Sequence, residues 1–94
     1  MGFNVVITKK AKLEIEDGMF FYNNVSKKTS QLFYKDFIEH VEYIKKNPLL
    51  FQIKFDTFRE VPLKTFPYLI VYEVIDKTII INAIFHFSRN PLKK

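Results

Sequence analysis

The sequence predicts an α+β domain of two layers, a helical hairpin packed on one face of a mainly antiparallel sheet of four to five strands. Three observations carry that expectation. Apolar residues recur at helical spacing through residues 9–47, they alternate at strand spacing through residues 51–87, and only short turns separate the later segments. With 94 residues, 48% of them hydrophobic and eleven of them Phe, the chain can bury one core and is not a disordered polymer. Two Gly and four Pro leave little room for linkers, and no internal repeat is present, so residues 1–94 read as a single domain.

Residues 3–7 form a short apolar run ended by Thr8, whose hydroxyl suits the N-cap of a helix. Ala11, Ile15, Met19 and Tyr22 then line one helical face, although Gly18 costs that helix about 1 kcal/mol relative to Ala. Ser26 is placed to cap a second helix. Its stripe is Phe33, Phe37, Val41 and Ile44, with Ile38 beside them, and Lys35, Asp36, Glu39 and Glu42 fall on the opposite face. Lys45 and Lys46 sit in the last turn, where cations suit the helix dipole, and Asn47-Pro48 is a stop signal. His40, among helix acids, is expected to be exposed.

The strands follow from alternation. Phe51, Ile53 and Phe55 predict a half-buried strand, Asp56-Thr57 a tight turn, and residues 58–64 the next strand, in which Pro62 must turn its nitrogen outward. Thr65-Phe66-Pro67 makes a corner into residues 68–74. Asp76-Lys77 turns the chain into residues 78–87, the most apolar strand. Simple alternation there puts Ile79, Ile81, Ala83, Phe85 and Phe87 on one face and Ile80, Asn82, Ile84 and His86 on the other. A strand apolar on both faces belongs inside the sheet, and the first strand is expected to pair beside it.

Absence of cysteine excludes disulfides and thiolate metal sites, and two distant histidines do not make a zinc site, so neither metal nor cofactor is expected. No signal-peptide pattern opens the chain and no apolar run approaches membrane-spanning length, so a cytoplasmic protein without membrane attachment is expected. The net charge of +5 is unevenly placed: residues 1–44 carry six Lys against six acids, whereas residues 45–94 carry nine Lys and Arg against four. That asymmetry fits an anionic partner met on one side, or solubility alone.

Three ordered motifs in the last third are more specific: Arg59-x-x-x-Leu63, then Phe66-Pro67-Tyr68-x-Ile70-x-Tyr72, then Ile79-x-Ile81-x-Ala83-x-x-His86-x-x-Arg89-x-Pro91. With the opening strand and the helix pair ending at Asn47-Pro48, this arrangement resembles the RelE/ParE superfamily of bacterial type II toxin–antitoxin toxins, also described as plasmid stabilisation proteins. The resemblance implies a RelE-like fold, a cognate antitoxin in a hetero-oligomer, and growth arrest by one of two routes. One branch cleaves messenger RNA in the ribosome; the other inhibits DNA gyrase without cutting chemistry of its own.

An endoribonuclease is the leading expectation, with a non-enzymatic gyrase inhibitor and an inactive toxin-like remnant that only binds an antitoxin as the alternatives. Cleavage by 2′-hydroxyl attack needs a base, an acid and a cation for the developing phosphorane charge. His86 titrates nearest neutrality in the basic half, and Arg59 and Arg89 can hold phosphate, which makes these three the candidate catalytic set. Each has a plainer role: His86 as a sheet histidine bonded to backbone, Arg59 as a structural ion pair, Arg89 as a solvated residue. Lys54 and Lys64 are candidate phosphate-steering charges, or solvated edges. Tyr68 and Tyr72 share a strand face and can stack a base or belong to the core. Two positions depart from the ribosome-dependent pattern: Leu69 stands where an arginine follows the corner tyrosine, and the C-terminal tyrosine is missing.

Overall fold

A computed structural model describes residues 2–87; the expectation for Arg89 lies outside the described residues. The elements, in order, are β1 (Asn4–Ile7), α1 (Lys9–Asn23), α2 (Lys27–Lys46), β2 (Ile53–Phe55), β3 (Phe58–Pro62), β4 (Tyr68–Ile75) and β5 (Thr78–His86). They form one five-stranded sheet in the order β1-β5-β4-β3-β2, in which only β1 and β5 run parallel. The helical hairpin covers one face. Among the described residues no helix is long and apolar enough to cross a membrane.

Both helices start where the capping chemistry places them. The Thr8 hydroxyl accepts from the Ala11 amide at 3.1 Å and the Ser26 hydroxyl from the Thr29 amide at 3.0 Å. Phe33, Phe37, Val41 and Ile44 are buried as their spacing requires, against Val61, Ile70, Tyr72, Ile79 and Ile81 from the sheet. Gly18 has a packing reason. A Cβ there would lie 2.8 Å from two ring atoms of Phe33 and 3.1 Å from the Tyr68 hydroxyl. The helix accepts a glycine so that two aromatic rings can approach its backbone.

The turns also match their residues. Asp56 and Asp76 open the two hairpin turns with left-handed φ of 50° and 55°, a conformation Asp tolerates better than most side chains. Pro62 ends β3 rather than interrupting it. The Leu63 amide donates to the Tyr68 carbonyl at 2.9 Å, so by alternation the Pro62 nitrogen faces away from β4, beyond the last paired residue of β2.

Four sequence expectations need correction. Residues 51–55 do not form a half-buried strand: β2 is three exposed residues at the sheet edge, and Phe51 lies before it. The third strand stops at Pro62, two residues early, and the corner at residues 64–67 follows it. Asp36 is buried, not on the solvated helix face, and His40 beside it is partly covered. The fourth concerns β5. Tyr72 pairs with Ile81 and Val71 with Ala83, which leaves Asn82 as an extra residue, a β-bulge. A one-residue insertion shifts the parity of everything after it. Ile84 and His86 therefore face the helices with Ile79 and Ile81, while Phe85 and Phe87 stand exposed on the uncovered face.

Candidate functional site

The bulge is held from the helical layer. The Thr8 hydroxyl donates to the Asn82 carbonyl at 3.3 Å, and the Glu14 carboxylate accepts from the Ile84 amide at 2.8 Å. On the other face the Asn82 amide donates to Glu73, whose second oxygen accepts from Thr57 at 2.9 Å. Glu14 also pairs with Lys10 at 2.6 Å, but that i, i+4 pair is largely exposed and contributes little. The helix carboxylate thus supplies the partner for an amide that the bulge removes from the ladder.

His86 sits at the end of β5 opposite Tyr68, and the two rings meet edge-on with centroids 4.7 Å apart. Tyr68 is buried and packs in turn against Tyr22 and Phe33. The neighbouring corner, residues 64–67, is anchored by Asp36. Its Oδ2 accepts from the Thr65 amide at 2.9 Å and the Phe66 amide at 3.2 Å. His40 Nδ1 donates to the Asp36 carbonyl at 2.8 Å and lies 3.3 Å from its carboxylate. A buried carboxylate shared between two corner amides is a strong local tie, because charged acceptors make the stronger hydrogen bonds. Lys64, at this corner, is exposed and at the same end of the sheet as His86.

Arg59 lies at the other end. It pairs with Tyr72 on β4 and Ile53 on β2, and its Nη1 donates to the Phe51 carbonyl. The buried Tyr72 hydroxyl donates to the Pro48 carbonyl at 2.8 Å. Burial raises the Tyr72 pKa above its ordinary value of 10.0, and the adjacent Arg59 charge opposes part of that rise. Arginine and tyrosine together pin the connection between α2 and β2. Arg59 makes no ion pair with a described acid, and its buried Nε has no acceptor.

The expected gathering of charge does not form among the described residues. Arg59 registers with Tyr72, and His86 with Tyr68, four residues apart on the strand between them. Strand rise and strand spacing then separate their Cα atoms by roughly 16 Å. Both point toward the helices, but Val61, Ile70 and Ile84, which are register partners across three strands, fill the row between them and are buried. Tyr68 and Tyr72 share a face as expected, but it is the core face, where they are 3% and 0% exposed and present no ring to a base. Lys54 is exposed on the β2 edge, on the Arg59 side of the sheet. Sequence reasoning missed Asp36, Glu14 and Asn82. Only Asn82, a polar residue inside an otherwise apolar strand, carried a visible signal.

The family model for the ParE toxin of the type II toxin–antitoxin system parDE matches residues 5–91 of this chain. No significant match is found among curated proteins. Among solved structures, the chain is similar to one described as a chromosomal ParDE toxin–antitoxin system from P. aeruginosa. The identity is 17% and the TM-score 0.80, over 89% of this chain and 95% of that one.

Proposed function

The chain belongs to the ParE toxin family of type II toxin–antitoxin systems, and we propose that it arrests growth by occupying a macromolecular target rather than by cutting RNA. The observation that carries this reading is the distance across the sheet between Arg59 and His86, with a buried apolar row between them. A phosphoryl-transfer site needs its base and its cation within hydrogen-bond reach of one phosphate. Arg59 is instead committed to the Phe51 carbonyl, and the His86 ring to an edge contact with Tyr68. DNA gyrase is the target class that the gyrase-inhibiting branch of the superfamily implies. The partner that silences the protein is a cognate antitoxin.

The test uses purified protein in two assays and His86→Gln in both, with circular dichroism confirming that the variant folds. Addition to gyrase is expected to reduce DNA supercoiling, the variant is expected to act like the parent, and messenger RNA in a translating extract is expected to stay intact. Cleaved messenger RNA that becomes uncleaved with His86→Gln would refute the binding mechanism and establish the ribosome-dependent endoribonuclease, with His86 as its acid or base.

A further inference from the structure

Residues 18–35 span the end of the helical hairpin and carry Lys27, Lys28 and Lys35 with no acid among them. Phe20 and Val25 there are the two most exposed large apolar side chains among the described residues, at 69% and 68%, and Phe21 joins them at 40%. Exposed apolar groups scattered singly need no explanation, but three around one helix-to-helix turn do. Lys27 lines the same groove as Met19 and Phe20, a depression of about 360 Å³, which sets a cation beside the apolar tip. Lys27 and Lys28 are exposed and make no ion pair with a described acid. Of the acids that bound the run, Asp17 lies one turn back along α1, and Asp36 is buried with its carboxylate on the corner amides.

The backbone of the turn supplies a second, independent observation. The Asn24 amide donates to the Phe21 carbonyl at 3.2 Å, and the Val25 and Ser26 amides donate to the Tyr22 carbonyl at 2.9 and 3.1 Å. The Ser26 hydroxyl takes the Thr29 amide at 3.0 Å, and the Ser26 carbonyl takes the Ser30 amide at 3.2 Å. Polar groups already bonded within the chain can leave water without losing a partner, whereas an open loop would bring unpaired amides with it. The tip is therefore closed in its backbone, apolar at its most exposed side chains and cationic at its rim.

We infer that the end of the helical hairpin is a contact surface for an anionic lipid bilayer. Phe20, Phe21 and Val25 enter the boundary between headgroups and acyl chains, while Lys27 and Lys28 stay at the level of the lipid phosphates. The contact is peripheral. No helix among the described residues is long and apolar enough to cross a membrane, and interfacial seating needs only side chains that leave water together. A protein partner fits less well, because a stable protein interface takes about 800 Å² from each side, more than three side chains on a narrow turn present. A bilayer has no fixed shape to match. Single-stranded nucleic acid stacks on ring faces, and Val25, one of the two most exposed groups, has no ring to give.

The chain has no tryptophan, so Phe20→Trp in the full chain places a single fluorophore at the tip. Phe85→Trp, on the uncovered sheet face, is the control. Both positions are exposed, and circular dichroism checks that each variant folds. The probes are vesicles of phosphatidylcholine alone and of equal parts phosphatidylcholine and phosphatidylglycerol. With the mixed vesicles, the emission of Phe20→Trp is expected to move to shorter wavelength and that of Phe85→Trp to stay in place, with little change for either on phosphatidylcholine alone. Replacing Lys27 and Lys28 together by Gln is expected to weaken co-sedimentation with the mixed vesicles by about tenfold, and Val25→Ser by about fivefold. Absence of binding to the mixed vesicles overturns the inference. So does binding that leaves the Phe20→Trp emission unmoved, which places the contact elsewhere on the basic chain, or that moves both reporters alike, which is unspecific adsorption. A short oligonucleotide that reproduces the Phe20→Trp shift without vesicles would make the tip a nucleic-acid surface and overturn it as well.

Discussion

Removing the Asp36 carboxylate tests how the corner at residues 64–67 is held. Its Oδ2 accepts from two amides, Thr65 at 2.9 Å and Phe66 at 3.2 Å, while the residue itself is only 6% exposed. Hydrogen bonds to charged groups contribute about 1.5–3 kcal/mol each in mutational series. Two such bonds would give an upper figure of about 6 kcal/mol, but three effects reduce it. The Thr65 amide lies at an exposed residue and regains water. Alanine is the better helix former at a mid-helix site by roughly 0.5 kcal/mol. The variant also no longer holds a buried carboxylate, whose desolvation opposes folding. Asp36→Ala is therefore expected to cost about 2 kcal/mol, and Asp36→Asn, which keeps an acceptor oxygen, about 1 kcal/mol. In urea unfolding, with a slope near 1–1.5 kcal/mol/M for a chain of this size, the alanine variant should lower the midpoint by about 1.5 M. Amide hydrogen exchange at Thr65 and Phe66 should accelerate by more than at β1, which the corner does not touch. A midpoint shift under about 0.3 M, with unchanged exchange at those amides, would refute the assignment of the carboxylate as the corner's anchor.

Gly18→Ala gains about 1 kcal/mol of helix propensity but drives a methyl to 2.8 Å from the buried Phe33 ring. That ring is fully enclosed and in contact with Tyr22, Phe66 and Tyr68, so overpacking of about 1–3 kcal/mol is expected to dominate, read as a lowered thermal midpoint. A raised midpoint would mean that the ring moves aside cheaply. Tyr72 gives the pH dependence. Its folded pKa is raised above 10.0, chiefly by burial, so its contribution to stability is complete below that pH and is lost as pH rises toward the folded value. Stability should therefore fall above about pH 10, and Tyr72→Phe should lessen that slope by about 1.4 kcal/mol per pH unit, the worth of one proton. An unchanged slope in the variant would refute the assignment to this tyrosine.

The fold was legible because its signals are local and redundant. Thr8 and Ser26 as caps, the Phe33 to Ile44 stripe and the Asn47-Pro48 stop each specify a different start, face or end of the helical hairpin, and all agree on one hairpin. The two Asp-led turns did the same for the hairpins. Side-chain destinations were less legible. Asp36 lies at helical spacing among Lys35, Glu39 and Glu42, and its burial depends on amides 29 and 30 residues away that no local pattern reveals. His40 moved with it. Tyr68 and Tyr72 were assigned a common face correctly, but alternation does not say which face of a sheet the helices will cover.

The site itself turned on one residue. In residues 79–85, apolar groups stand on both faces, so a slip of one residue loses little in hydrophobic burial and leaves parity poorly specified by pattern alone. What specifies it is polar. Asn82 breaks the ladder, and the freed amide of Ile84 requires an acceptor, which Glu14 supplies only if α1 crosses this end of the sheet. Thr8, besides capping α1, holds the Asn82 carbonyl, so the start of the helix and the position of the bulge are coupled through a single hydroxyl. The bulge turns His86 inward beside Tyr68 and turns Phe85 and Phe87 outward, onto a face that no helix covers. An unbroken strand would have put His86 on that open face instead, on the side opposite Arg59. On either register the two groups fail to share a phosphate: without the bulge they lie on opposite faces, and with it the Val61–Ile70–Ile84 row divides them. Arg59 and His86 therefore do not meet at one phosphate, whichever rotamer either side chain adopts.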